Sequence, residues 1–367
     1  MRRVIAVEDA VSTIWLILGA ASLGVAVLPG LGFVSKHGKL QQHQAAGSSG
    51  TGGATSTKTD VDQTQASEGA AGTRTDALWR ALTELTVPKA WFVHMYVFGL
   101  LVGLHIIAVN TSVVPSEFLF GVGVGVGAGA GHEGGYVSSL LGSCRFRTDS
   151  TATLCLALLN VQCLRRLWEC YFINDFGAST MHVSGYLVGM LHYLLVPLSL
   201  ALESGESENA SAPASAFTVR LLLTRSPVVC AACVGFFLAS WVQYTCHAEL
   251  AACGKRAGGS SGTTHQNNKQ TEKRGLQQKQ YSFPEGWAFD LVCCPHYTAE
   301  IVLYLCLSVI DQTRPTVALF CWVLCNLCVV AQENMQWYRH RSEFGSAITQ
   351  REKRTGRRWR KCIPFLW

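Results

Sequence analysis

Seven stretches of this chain stay apolar for about twenty residues each, near 11–34, 90–113, 151–173, 182–202, 224–246, 287–310 and 315–334. A helix of about twenty residues rises about 30 Å, the thickness of a bilayer's hydrocarbon layer. In lipid, each backbone N–H and C=O must find its partner within the segment, so such runs are helices rather than open strands. The pattern predicts an all-α, polytopic membrane protein with about seven transmembrane helices. Composition agrees. Hydrophobic residues make up 49% and charged residues 15% of the 367, and mean hydropathy is +0.22 even with long polar inserts averaged in. An ordinary soluble enzyme is excluded on those grounds.

The inserts read as disordered. Residues 39–74 and 254–280 are rich in Gly, Ser, Thr and Gln and lack apolar periodicity. The run "GVGVGVGAGAG" at 121–131 looks like a phosphate loop, but its glycines fall on alternate positions and no strand precedes it. It is read as a flexible loop. The N-terminal apolar run follows Glu8 and Asp9 and exceeds a signal-peptide core, so it is the first span. Residues 1–89 then comprise that span and a disordered cytosolic insert, and 90–367 a six-helix region.

Basic residues orient the chain. The 251–286 connection carries Lys255, Arg256, Lys269, Lys273, Arg274 and Lys279, and the segment after Gln336 is strongly basic. Both are expected in the cytosol. The connection at 203–219 instead holds Glu203, Glu206 and Glu208, with an N-glycosylation sequon at Asn209. A second sequon, at Asn110, lies on that same opposite side.

Polar groups inside apolar runs cost roughly 2.5–3.5 kcal/mol per mid-bilayer charge and ask for a reason. "CLRRLWECYF" sets Arg165 and Arg166 within a turn of Glu169, and "WVQYTCHAEL" sets Gln243 one turn before His247. "CCPHYTAEIVLYL" opens a long apolar run with His296 and Glu300 one turn apart. "AQENMQWYRHR" closes the last span with Tyr338. Lone histidines such as His94, His105 and His192 are expected to be packing or interfacial residues. Eleven histidines include no HxxxH or HxxHH pair, so no His-ligated metal is expected. Most of the fifteen cysteines sit in apolar runs as small packing residues. The basic tail "QREKRTGRRWRKCIPFLW" suits anionic headgroups, or an apolar end that tucks back and holds arginines over a phosphate-rich ligand.

Together, "RRLWECYF", "QYTCH", "CCPHYTAEIVLYL" and the ending "RKCIPFLW" resemble the steroid 5-alpha-reductase family, above all its polyprenol (polyprenal) reductase branch, over about 150–367. The resemblance implies a multi-pass protein of the endoplasmic reticulum membrane with its C-terminus in the cytosol. It implies NADPH as cofactor and reduction of the alpha-isoprene double bond of a polyprenal or polyprenol. The product would be dolichal or dolichol, the lipid carrier for protein N-glycosylation. Expected partners are a long polyisoprenoid and the bilayer, with no nucleic acid and no metal.

Catalytic roles would fall to His296 and Glu300. Cofactor contacts would fall to Arg165, Arg166, Glu169, Gln243, His247, Tyr338, and Arg358 or Arg360 before the terminal "IPF". Two departures stand out. The tyrosine that anchors a steroid ketone in relatives falls at Cys163, which counts against a steroid, and their N-terminal catalytic glutamate has no match. A steroid or enoyl thioester reductase, an isoprenylcysteine-type methyltransferase and a non-enzymatic lipid-binding protein remain alternatives. Nothing in the sequence gives the adjacent Cys293 and Cys294 a role.

Overall fold

The computed structural model describes residues 2–27, 85–110, 147, 149–202, 226–259 and 282–363. The loop at 121–131, the sequon at Asn209 and nearly all of the Gly/Ser-rich inserts lie outside them. Seven long helices appear among the described residues: α1 (Arg2–Val27), α2 (Phe92–Asn110), α3 (Ser150–Phe172), α4 (Val183–Ala201), α5 (Pro227–Gly259), α7 (Pro295–Asp311) and α8 (Arg314–His340). A short α6 (Trp287–Leu291) precedes α7, and α9 (Gly345–Thr355) follows α8.

Five helices are long and apolar enough to cross a membrane: α1, α2, α4, α5 and α8. The other two, α3 and α7, carry Arg165, Arg166, Glu169 and Glu300. Large apolar side chains such as Leu16, Ile17, Leu101, Leu187, Leu238 and Trp241 face outward. For a bundle in lipid that is the favourable side, since the surrounding solvent is itself hydrocarbon.

Neighbouring helices follow from the connections. α2 packs on α3 and α4, α7 on α5 and α8, and α8 on α1. A two-stranded antiparallel sheet, β1 (Thr86–Pro88) with β2 (Thr180–His182), ties the starts of α2 and α4 together. At the other end, Asp149 caps α3 by accepting the Ala152 N–H at 2.8 Å. Arg147 bridges Asp149 at 2.6 Å and Asp311 at 2.5 Å, joining the start of α3 to the end of α7. Between α7 and α8 the chain reverses at Gln312, whose φ of 56° ends the helix in the left-handed region. Pro315 in the first turn of α8 then suits a helix start.

The expected sixth span, 287–310, is broken. The helix stops at Leu291, runs extended through Val292–Cys294, and restarts at Pro295. Proline lacks an N–H and disfavours a helical residue before it, and Cys294 has φ −126° and ψ 66°. The N–H groups freed by the break are taken up by the C-terminal tail. Cys293 N donates to Arg360 O at 2.8 Å and Cys294 N to Lys361 O at 3.0 Å. The fifth helix also runs well past the expected 246, to Gly259.

Among the described residues two larger apolar cores result, with a small third one at Cys246, Ala288 and Phe289. One fills the bundle around Trp15, Ile106, Leu156, Phe236, Leu303 and Leu319. The other packs Cys293, Cys294, Trp337, Tyr338, Phe344 and Trp359 beneath the tail.

Candidate active site

The last turns of α3, the middle of α5 and the first turns of α7 meet, and this is where the polar side chains gather. Residues one turn apart on a helix share a face, so Arg165 and Arg166 both reach Glu169, each donating to one of its carboxylate oxygens. Glu169 is fully buried. From α5, His247 Nδ1 lies 2.7 Å from Glu169 Oε2, so the carboxylate gathers two guanidiniums and an imidazole. A buried carboxylate is tolerated only when paired in this way.

Arg166 extends the cluster to α2. Its Nε and Nη2 donate to the Tyr96 hydroxyl at 3.1 and 2.9 Å. Arg165 extends it to α5 and α7. It donates to Gln162 Oε1 at 3.0 Å and to Gln243 Oε1, which also accepts from Gln162 Nε2 at 2.8 Å. The other end of the Gln243 amide donates to Glu300 Oε2 at 3.2 Å. The rings of His247 and His296 are 5.6 Å apart.

Seven residues singled out in the sequence are therefore assembled in one place: Arg165, Arg166, Glu169, Gln243, His247, His296 and Glu300. Three others are not in this cluster. Tyr338 packs in the second core, 5.5 Å from Trp359 and 5.6 Å from Phe344 between ring centres. Arg358 and Arg360 are exposed on the tail, whose backbone pairs with Cys293 and Cys294 beside the cluster. The tail does tuck back. Trp359 Nε1 donates to Phe289 O at 2.7 Å, and Thr298 on α7 donates to Cys362 O. The buried Arg351 guanidinium is stacked between Phe283 and Trp359, at 4.3 and 4.9 Å from their ring centres. Desolvation there lowers its pKa from the usual arginine value.

Sequence reading missed Tyr96 and Gln162. Tyr96 stands in an apolar run whose histidines, His94 and His105, read as packing or interfacial residues, so nothing flagged it. Gln162, three residues before Arg165 in "NVQCLRR", was a legible helical neighbour.

Chemically, the cluster offers guanidiniums, amides and imidazoles at the mouth of an apolar bundle. That set suits phosphate or ribose on the polar side and a lipid on the other. Arg165 Nε is buried and has no hydrogen-bond partner among the described residues, so a donor is left for a ligand. No group of three or more His, Cys, Asp or Glu side chains arranged for a metal is found among the described residues.

Residues 222–351 match the family model for 3-oxo-5-alpha-steroid 4-dehydrogenase. Polyprenal reductase 2 of Oryza sativa subsp. japonica is 28% identical over 290 residues, covering 71% of this chain and 76% of its own. Polyprenal reductase of Danio rerio is 29% identical over 275 residues, covering 72% and 76%. That of Drosophila melanogaster is 27% identical over 292 residues, covering 77% of each. Over residues 222–351 the chain thus matches the 3-oxo-5-alpha-steroid 4-dehydrogenase family model, and along most of its length it is similar to polyprenal reductases.

Proposed function

We propose that this protein is an NADPH-dependent reductase of a polyisoprenoid enal, a polyprenal, saturating its alpha-isoprene double bond to give a dolichal on the route to dolichol. The observation that carries this reading is the Gln243–Glu300 contact. It links an acid inside an apolar helix to a guanidinium cluster suited to a phosphorylated cofactor. The names of the relatives point to the same substrate class.

An aldehyde fits better than the alcohol. The double bond of an allylic alcohol is electron-rich, whereas in the enal it is conjugated to a carbonyl that can hold negative charge. NADPH, when bound, supplies the hydride. Arg165, Arg166 and Gln243 would hold its polar portion, steadied by Glu169 and His247, with Arg358 and Arg360 on the tail within the same end of the molecule. The excess of arginine favours a 2′-phosphate. His296 would orient the nicotinamide or donate to the substrate, with Glu300 beside it. We read this end as cytosolic, in the endoplasmic reticulum membrane, with the lipid entering from the bilayer.

The test is to incubate membranes with NADPH and, in parallel, a polyprenal, a polyprenol and a steroid enone, and to follow a gain of two hydrogens by mass spectrometry. The polyprenal should be reduced, and His296→Ala and Glu300→Gln should abolish that reduction while still inserting. Turnover of the steroid alone, or consumption of S-adenosylmethionine in place of NADPH, would overturn the reading.

A further inference from the structure

Deeper along α7, Tyr304 lies one turn past Glu300 and two turns past His296, on the same helical face. It is buried, and its hydroxyl is 2.8 Å from His192 Nε2 on α4. The other imidazole nitrogen, Nδ1, is 3.3 Å from Trp322 Nε1 on α8. An indole N–H can only donate. His192 Nδ1 is therefore the bare nitrogen, and Nε2 carries the proton and gives it to the Tyr304 oxygen. The phenol's own proton remains to be donated elsewhere. Buried, and one turn beyond Glu300 on the same helical face, the phenol lies on the bundle's interior side, next to the polar cluster.

Packing holds this line of donors still. Trp15 stacks on Trp322 at 6.3 Å and meets His192 edge-on at 5.5 Å, and its own N–H donates to Ser199 Oγ at 2.8 Å. Four helices, α1, α4, α7 and α8, thus fix one phenol. Three hydrogen bonds in series, Trp322 to His192 to Tyr304 to an acceptor, would run in one direction and polarise one another.

We propose that the Tyr304 hydroxyl donates the hydrogen bond to the carbonyl oxygen of the isoprenoid enal, with His192 and Trp322 as positioning residues. This rests on the reductase reading above. In that reaction a hydride from the reduced nicotinamide dinucleotide adds to the β carbon, and the C=C π pair shifts to form the enolate. The oxygen takes the negative charge, and the α carbon later takes a proton from water. Tyr304 keeps its proton throughout and stabilises the enolate oxygen. A donor aimed at a developing oxyanion contributes about 10²–10³ in kcat. A layer of donors beyond Glu300 also matches a cofactor held at the mouth and a substrate headgroup one step further in.

A merely structural network makes a different prediction, so the test needs a readout other than turnover. A short isoprenoid enal with a ¹³C-labelled aldehyde is bound to detergent-solubilised, full-length protein with oxidised cofactor, and the carbonyl stretch is read by infrared difference spectroscopy. The wild-type stretch should be lowered relative to the free enal. In Tyr304→Phe it should return toward the free value, with kcat down about 100-fold and KM for NADPH unchanged. Trp322→Phe, which leaves the hydroxyl but releases the tautomer, should move the stretch part of the way. It also serves if Tyr304→Phe does not accumulate as folded protein. A wild-type stretch and kcat in Tyr304→Phe, or a wild-type stretch in Trp322→Phe, overturns the Tyr304 assignment and leaves the reductase reading standing. Failure of the wild-type protein to bind or reduce the enal overturns both.

Discussion

Gln243 and Glu300 are joined at 3.2 Å by a hydrogen bond between a side chain of α5 and one of α7. The Gln243 oxygen accepts from Arg165 and Gln162, so one amide couples the guanidinium side of the site to the acid inside the apolar helix. Gln243 is 1% exposed, and water cannot replace what it provides. Gln243→Leu should cost about 1–3 kcal/mol by stranding these donors and the Glu300 carboxylate. The measurement is a lowered melting temperature in detergent, together with weaker NADPH binding. A wild-type melting curve would show that the amide couples nothing.

Glu169 should be the most sensitive single position in the cluster. It receives Arg165, Arg166 and His247, and none of its surface is exposed. Glu169→Gln leaves two partly buried guanidiniums without their counter-charge, a loss of about 3–5 kcal/mol for a buried pair. The variant should yield little monodisperse protein on size exclusion. Adding Arg165→Gln removes one of the stranded charges, so the double variant should recover part of the yield. Equal losses in single and double variants would mean that the charges do not interact.

The all-α plan was legible because lipid demands about twenty apolar residues per crossing, a rule that five of the seven long helices among the described residues meet. The cluster was legible for a related reason. Charges are rare in such runs, and Arg165, Arg166, Glu169 and Glu300 marked themselves by their cost. What could not be read was whatever costs nothing in sequence. Tyr96, Tyr304 and Trp322 are ordinary residues of apolar helices, and only tertiary contact shows which polar tips meet. The break at Cys293–Cys294 was hidden for a different reason. Pro295 announced a helix start, but the partner that satisfies the freed N–H groups lies at Arg360 and Lys361, near the far end of the chain.

That pairing gives the two cysteines a role and a test. Cys293 and Cys294 are each 2% exposed, covered by Trp359 and the backbone of residues 360–362. Ending the chain at Arg358 should uncover both thiols. Maleimide labelling of Cys293 and Cys294, located by peptide mass spectrometry, should be slow in the intact chain and at least about tenfold faster in the truncated one, because thiol reactivity follows access. Thr298→Val, which removes one bond to the tail at Cys362, should give an intermediate rate. Unchanged labelling in the truncated chain would show that the tail does not cover the break.

The last relationship sits in the bundle interior. A methyl group added at Gly103 on α2 would lie 2.5 Å from the Asn160 side-chain oxygen of α3 and 3.1 Å from its nitrogen. Neither Asn160 amide atom has a hydrogen-bond partner among the described residues, and the residue is 4% exposed. Gly103→Ala should therefore destabilise by about 1–3 kcal/mol through overpacking. Asn160→Ala acts in the opposite sense. It withdraws two desolvated polar atoms whose burial costs about 1–3 kcal/mol on protein scales, and it opens a small void. The added methyl at position 103 fills part of that void. The two changes share one space, so their effects should not add. Gly103→Ala with Asn160→Ala should melt at or above the wild-type temperature, although Gly103→Ala alone melts below it. A double variant no more stable than Gly103→Ala would show that the contact between α2 and α3 is not limited by the Asn160 amide.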